Sequence, residues 1–414
     1  MTRSREEWEK IVYCATDVGE HMLKSGAEVH RVEDTVRRIC TAYGAERTDV
    51  FTITSSIVVT VYVSDFTTVT ETRRVSHSVN DMLKLDEYNE LSREICTGLP
   101  APERIRERLV EIHDGNLPLF SIKIFAYALA SFSFSIFFGG NLPDGLAAAL
   151  IGIFLCYFEE FLAHFTENPL MTALIWSVAG GSLASLSARL MPGLQLHPDL
   201  ISIGNIMLFI PGIAFTNSLR DLFLGDTISG LIRFLESVLL AVVMAIGFAA
   251  AGLFFHTGDV ISSGTQTAIL QIITAGLGTF SFSMIFHAGK EKWGLLFLGG
   301  VLSWILYLIF FDWTKSSNLA GFLSAGILAF YAELMARVCR TPATVFSLIT
   351  TVPLIPGAGL YRAMNALMNG SIGGFQRYGL STLMFASAMS AGIIFCSPIG
   401  TRIFSCFHRS KRIP

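Results

Sequence analysis

The sequence predicts a polytopic α-helical membrane protein: ten transmembrane helices in a five-plus-five inverted-topology repeat, preceded by a small α+β cytosolic domain. Three observations carry this. The 414 residues are 52% hydrophobic and 15% charged, against about 25% charged in ordinary soluble domains. Charge is uneven, residues 1–117 holding 15 Lys/Arg and 21 Asp/Glu where residues 118–414 hold 15 and 12. Two motifs recur inside the apolar part at offsets of 148 and 145 residues. The expected domains are 1–117, then five-helix membrane halves at 118–260 and 261–414, the second ending in a short basic cytoplasmic tail.

The polar part comes first. Residues 4–24 and 29–43 pattern as helices. The β-branched run VFTITSSIVVTVYVSDFTTVTETRRV predicts three strands within 47–75, and 81–97 and 103–114 pattern as helices again. Ser25-Gly26-Ala27-Glu28 reads as a capping box opening the second helix. The start MTRSREEWEK has no apolar run behind its basic residues, so no secretory leader is expected and this domain should stay cytosolic. The seven cysteines stand singly, without CxxC spacing, and read as reduced apolar filler.

Beyond residue 118, ten apolar runs of roughly 20 residues each match the length a helix needs to cross ~30 Å of hydrocarbon. They lie at 119–139, 145–165, 168–190, 198–217, 228–254, 265–286, 293–311, 319–338, 342–362 and 375–402. With the N-terminus inside, eleven Lys/Arg fall near cytoplasmic ends and four outside, which fits both termini being cytoplasmic in the cell membrane.

The first run contains Phe132-Ser133-Phe134-Ser135 and the sixth Phe280-Ser281-Phe282-Ser283. The fourth carries Ile210-Pro211-Gly212 and the ninth Ile355-Pro356-Gly357, each with a glycine thirteen residues beyond the Pro-Gly glycine, Gly225 and Gly370. Five spans per copy is odd, so the second copy enters from the opposite side, an arrangement common among secondary transporters. Proline removes a backbone donor and breaks the helical ladder, and such breaks are tolerated at membrane depth where they line a cavity. Substrate-binding candidates are therefore Asn205, Pro211, Gly212, Thr216, Asn217, Arg220 and Asp221 around the first break, and Pro356, Gly357, Tyr361 and Arg362 around the second. Arg220 and Arg362 could each hold a carboxylate and Asp221 an ammonium. Both arginines could equally snorkel to headgroups.

Glutamates within the spans are costly. Glu159, Glu160, Glu236 and Glu333 are the proton-coupling candidates. Glu236 could pair with Arg233 three residues earlier. Glu159 and Glu160 have only His164 as a cation within helical reach, which makes one of them the leading candidate. No metal-ligand spacing, GxSxG, HExxH or Walker A motif occurs, and no cofactor is expected. Gly180–Gly181 and Gly299–Gly300 permit close helix approach, compatible with a homo-oligomer.

The segments SGAEVHRVEDTVRRI (25–39), FIPGIAFTNSLRDLFLGDTISGLIRFLES (209–237) and PLIPGAGLYRAMNALMNG (353–370) resemble the threonine/serine exporter family over nearly the whole chain. The resemblance implies a cytosolic domain fused to ten membrane helices that export threonine and serine at the expense of the proton motive force. Expected partners are a small amino acid, protons and membrane lipid, with no nucleic acid. Some split members of that family look like dicarboxylate exporters, so a succinate-like substrate stays open. A membrane-anchored enzyme or sensor acting through the N-terminal domain is the alternative of another class.

Overall fold

The computed structural model describes residues 3–63, 67–76, 79–115, 119–209, 211–255 and 266–410. The polar N-terminal part is built as expected. Helices α1 (Arg5–Lys24) and α2 (Val29–Ala42) precede an antiparallel sheet of β1 (Arg47–Ile53), β2 (Ser56–Val63) and β3 (Thr67–Arg74) in the order β1-β2-β3, followed by α3 (Met82–Gly98) and α4 (Pro102–Asp114). On β2, Ile57, Val59 and Val61 alternate inward and are fully buried, while Thr60 faces the other way onto Thr70, Oγ1 to Oγ1 3.0 Å. The inward face packs with Val12, Val18, Val32 and Val36 of α1 and α2 in one core.

The expected capping box at Ser25–Glu28 is not formed. Ser25 ends α1 instead. Gly26 takes φ +93°, its N–H donates to Leu23 O, and the Ala27 N–H donates to Met22 O, the paired bonds of a Schellman stop. Glu28 occupies the cap position of α2, but its side chain makes no cap hydrogen bond. The carboxylate is directed elsewhere.

The described residues of the apolar part form helices and no strands: α5 (Phe120–Phe137), α6 (Leu142–Ala163), α7 (Pro169–Leu190), α8 (Pro198–Ile206), α9 (Gly212–Leu224), α10 (Thr227–Phe255), α11 (Ala268–Ile285), α12 (Trp293–Thr314), α13 (Ser317–Cys339), α14 (Ala343–Thr350), α15 (Gly357–Met368) and α16 (Ile372–Ser410). Among the described residues eight helices are long and apolar enough to cross a membrane, and α14 with α15, bent by 40°, gives a ninth candidate. The fourth and ninth expected runs are the two that are not continuous helices. Leu150, Leu235, Ile309 and Phe395 are among the large apolar side chains exposed on α6, α10, α12 and α16, as a lipid-facing surface requires.

The glycine pairs serve packing within the chain. A β-carbon on Gly181 would lie 2.9 Å from Ala251 and Phe248 of α10, and one on Gly299 would strike Thr350 of α14. The N-terminal domain is fastened to residues after α11. The Met82 and Leu83 amides donate to Phe286 O and His287 O at 2.9 and 3.1 Å. Lys292 Nζ meets Asp86 at 2.8 Å, His287 meets Asp81 at 3.2 Å, and Arg93 donates to Arg340 O. One apolar core runs from α1 and α3 into Leu296, Ala332, Phe346 and Ile349.

Candidate functional site

The starts of α9 and α15 meet within the apolar part. Pro211 (φ −76°, ψ 35°) caps α9 and Pro356 (φ −79°, ψ 43°) caps α15, nearly the same backbone at both sites, and neither helix start has a side-chain cap. At the second start the Gly357 N–H turns back onto Ile355 O at 2.8 Å. Each half-helix then stops on a glycine at positive φ, Gly225 at +98° and Gly370 at +73°, which explains the thirteen-residue spacing. Equivalent motif residues touch. Gly212 lies against Gly357, and the ring of Phe134 packs edge-on against that of Phe282, centroids 5.9 Å apart.

Between these breaks and the N-terminal domain lies a cavity of about 590 Å³, lined in part by Glu28, Arg31, Arg220, Glu333, Thr344 and Ser347. A narrow cleft continues inward past Asn217 and Thr216 to Ile213 and Ile355, at the breaks themselves. Across the mouth of the cleft, Arg220 Nη1 of α9 donates to Glu28 Oε1 at 2.9 Å, and the Thr344 hydroxyl at the start of α14 donates to the same oxygen at 3.3 Å. Arg220 Nε is buried with no hydrogen-bond partner among the described residues. Burial alone would raise the Glu28 carboxyl, but the neighbouring charges of Arg220, Arg31 and His30 and the Thr344 bond together hold it below the ordinary glutamate value. Burial lowers Arg31, opposed by Glu28 and Glu333.

The sequence-selected residues divide between this cavity and other duties. Asn217 and Arg220 line the cleft; so does Thr216, whose hydroxyl bonds back to Gly212 O at 3.0 Å. Asn205 is fully buried on α8, its Nδ2 on Ile201 O and its Oδ1 without a partner among the described residues. Asp221 faces away and takes Arg233 Nη1 at 2.9 Å. The pairing expected between Arg233 and Glu236 is thereby corrected: Asp221 supplies the buried carboxylate, and Glu236 is exposed. Tyr361 packs edge-on against Phe248, and Arg362 makes no ion pair with the described residues; neither lines the cavity. The two arginines are thus not brought together.

Of the glutamates, Glu333 lines the cavity, its carboxylate receiving Arg337 at 3.1 Å and the Ser397 hydroxyl at 3.2 Å. Glu159 is not short of a cation as its own helix suggested. Lys123 of α5 reaches Glu159 at 3.2 Å and Glu160 at 3.6 Å, and the Tyr127 hydroxyl donates to Glu159 at 2.6 Å.

Two family models match the chain, "Putative threonine/serine exporter" over residues 13–255 and "Threonine/Serine exporter, ThrE" over 271–399. The chain belongs to the threonine/serine exporter family. The "Threonine/serine exporter" of Corynebacterium glutamicum is 22% identical over 95% of this chain and 83% of its own. The "Probable threonine/serine exporter" of Mycobacterium tuberculosis is 22% identical over 93% of this chain and 75% of its own. The "Probable succinate transporter subunit YjjP" of Klebsiella aerogenes is 21% identical over 61% of this chain and 96% of its own. No solved structure matches. Membership makes this exporter-family chain a transporter rather than an enzyme.

Sequence reasoning missed the contribution of the N-terminal domain to the cavity. The Ser-x-x-Glu spacing assigns Glu28 to a cap. The one available signal was that Glu28 precedes a helix whose first turn contains no other acid. Thr344 and Ser347, small hydroxyl residues in an apolar run, gave none.

Proposed function

We propose that the chain is a secondary transporter that exports small hydroxy amino acids, threonine and serine, across the cytoplasmic membrane by proton antiport. In this reading both termini are cytoplasmic, and ten spans form two inverted five-helix halves, with α8–α9 and α14–α15 as their broken fourth members. The matching proline caps, glycine stops and the Phe134–Phe282 and Gly212–Gly357 contacts support the repeat. So does the packing of α7 on α10 in one half and of α13 on α16, their counterparts, in the other.

The observation that carries the reading is the cavity roofed by the N-terminal domain and running down to two uncapped half-helix starts. Arg220 is the carboxylate receptor, with an Nε donor that has no partner among the described residues and planar fork geometry suited to a carboxylate. The cavity's fixed charges are Arg31 and Arg220 against Glu28, Asp226 and Glu333. A zwitterion leaves that balance unchanged, whereas a dicarboxylate adds two negative charges beside three. This favours an amino acid over the succinate-like alternative.

The test is uptake of labelled L-serine and L-threonine into proteoliposomes holding the purified chain, with and without an imposed pH gradient. Gradient-dependent accumulation competed by threonine and not by succinate is expected. Succinate flux without serine flux would overturn the substrate assignment.

A further inference from the structure

The cytosolic domain places a carboxylate where a substrate carboxylate would bind. Glu28 is on the loop before α2, yet its Oε1 takes Arg220 Nη1 at 2.9 Å and the Thr344 hydroxyl at 3.3 Å, at the junction of the wide cavity and the narrow cleft. Nothing local demands this position, because the side chain does no capping. Its partners come from α9 and α14, the helices on either side of the two breaks. The domain carrying Glu28 is meanwhile fixed through α3 to residues 286–292 by two backbone hydrogen bonds and the Asp86–Lys292 and Asp81–His287 contacts. Glu28 is therefore held at the mouth by a docked body, not by a free loop.

We propose that Glu28 is the receptor for the substrate ammonium group, and that in the empty site it stands in for the substrate carboxylate on Arg220. The inference rests on the reading of this cavity as the substrate site. A zwitterionic amino acid inserts into the Glu28–Arg220 pair, its carboxylate taking the guanidinium, including the unpartnered Nε, and its ammonium taking Glu28. Two charge-assisted contacts replace one, with no change in net charge. A substrate with a carboxylate and no ammonium cannot do this. It displaces Glu28 from Arg220 and leaves that carboxylate facing like charge at the mouth of the cleft. The N-terminal domain thus contributes half of the recognition, and it is this half that distinguishes amino acids from other carboxylates.

The experiment measures equilibrium binding to the purified full-length chain of three probes: L-serine, 3-hydroxypropanoate, which is serine without its amino group, and succinate. The unaltered chain is expected to bind serine and to reject the other two. Glu28→Gln is expected to lose serine affinity on the order of tenfold or more. The same variant should gain affinity for 3-hydroxypropanoate, because Arg220 is no longer occupied by an internal carboxylate. A merely structural role for Glu28 would not produce that gain. Glu28→Asp keeps the charge and is expected to retain discrimination, which covers the case in which Glu28→Gln fails to fold. Undiminished serine affinity and unchanged discrimination in Glu28→Gln, with loss of serine binding in Arg220→Gln, would overturn the inference and leave the cavity reading standing. Undiminished serine binding in Arg220→Gln, or no binding of any probe to the unaltered chain, would overturn both.

Discussion

Gly212 and Gly357 touch: a β-carbon on Gly212 would lie 3.4 Å from the Gly357 Cα and 2.5 Å from a methyl of Ile355. The two helix breaks thus meet with only the Ile355 side chain packed beside the two glycines. Ile355 is buried and has little room to move. Gly212→Val is expected to force the breaks apart, at a cost of about 1–3 kcal/mol from overpacking, and to abolish serine flux. Gly373→Ala, where an added β-carbon meets nothing within 4 Å, is the control and should be neutral in melting temperature and flux. Transport by Gly212→Val at the unaltered rate would show that the contact has no part in the cycle.

Asp221 and Arg233 form a largely buried ion pair. The Asp221 side chain is 5% exposed and that of Arg233 20%. Asp221→Asn leaves the Arg233 guanidinium without its carboxylate and should destabilise by about 2–4 kcal/mol, less than a fully buried pair because Arg233 keeps some solvent. Removing both charges in Asp221→Asn with Arg233→Gln should recover much of that loss. A double-mutant cycle on thermal melting of the detergent-solubilised chain checks this. Additive single effects would mean that the two groups do not interact.

Much of this architecture was legible because the period and length of apolar runs reflect backbone physics that holds locally. The N-terminal helices and strands appear within a residue or two of their expected bounds. The Pro-Gly sites were readable for the same reason, since proline breaks a ladder wherever it stands. What could not be read were partners fixed by tertiary docking. Glu159 looked isolated because its cation, Lys123, belongs to another helix. Glu28 looked like a cap because Ser-x-x-Glu spacing fits one, while Gly26 at positive φ turned the chain and released the carboxylate to Arg220. Arg362 followed the second break by the same spacing logic that found Arg220 after the first. It lies away from the cavity, because the contacts to Glu28 come from α9 and from the start of α14, not from α15.

The Glu28 carboxyl is held below the ordinary glutamate value of 4.5, so its ionised form favours the docked state. A depressed carboxyl contributes stability that is fully present above its unfolded value and is lost as pH falls through its folded one. The contact of α2 with α9 and α14 should therefore be insensitive to pH near neutrality and weaken only below about 4.5. Hydrogen exchange at the start of α2, followed with decreasing pH, is expected to show protection falling there before α3. Glu28→Gln should flatten that acid limb. Loss of protection between pH 6 and 8 in the unaltered chain would contradict the assignment of charge to Glu28.

Glu333 and Glu159 give opposite expectations for coupling. Glu333 lines the cavity, where a proton taken up or released can respond to substrate, and its partners Arg337 and Ser397 flank it from α13 and α16. Glu159 is engaged by Lys123 and Tyr127 outside that cavity. Glu333→Gln should therefore remove the stimulation of serine uptake by a pH gradient while serine–serine exchange, which needs no net proton movement, continues. Glu159→Gln should keep gradient dependence and instead lower melting stability by about 1–3 kcal/mol, because Lys123 and the Tyr127 hydroxyl lose a charged partner. Exchange and gradient-driven uptake measured side by side for both variants decide between them. If gradient dependence is lost in Glu159→Gln and kept in Glu333→Gln, coupling lies at the α5–α6 pair and not at the cavity.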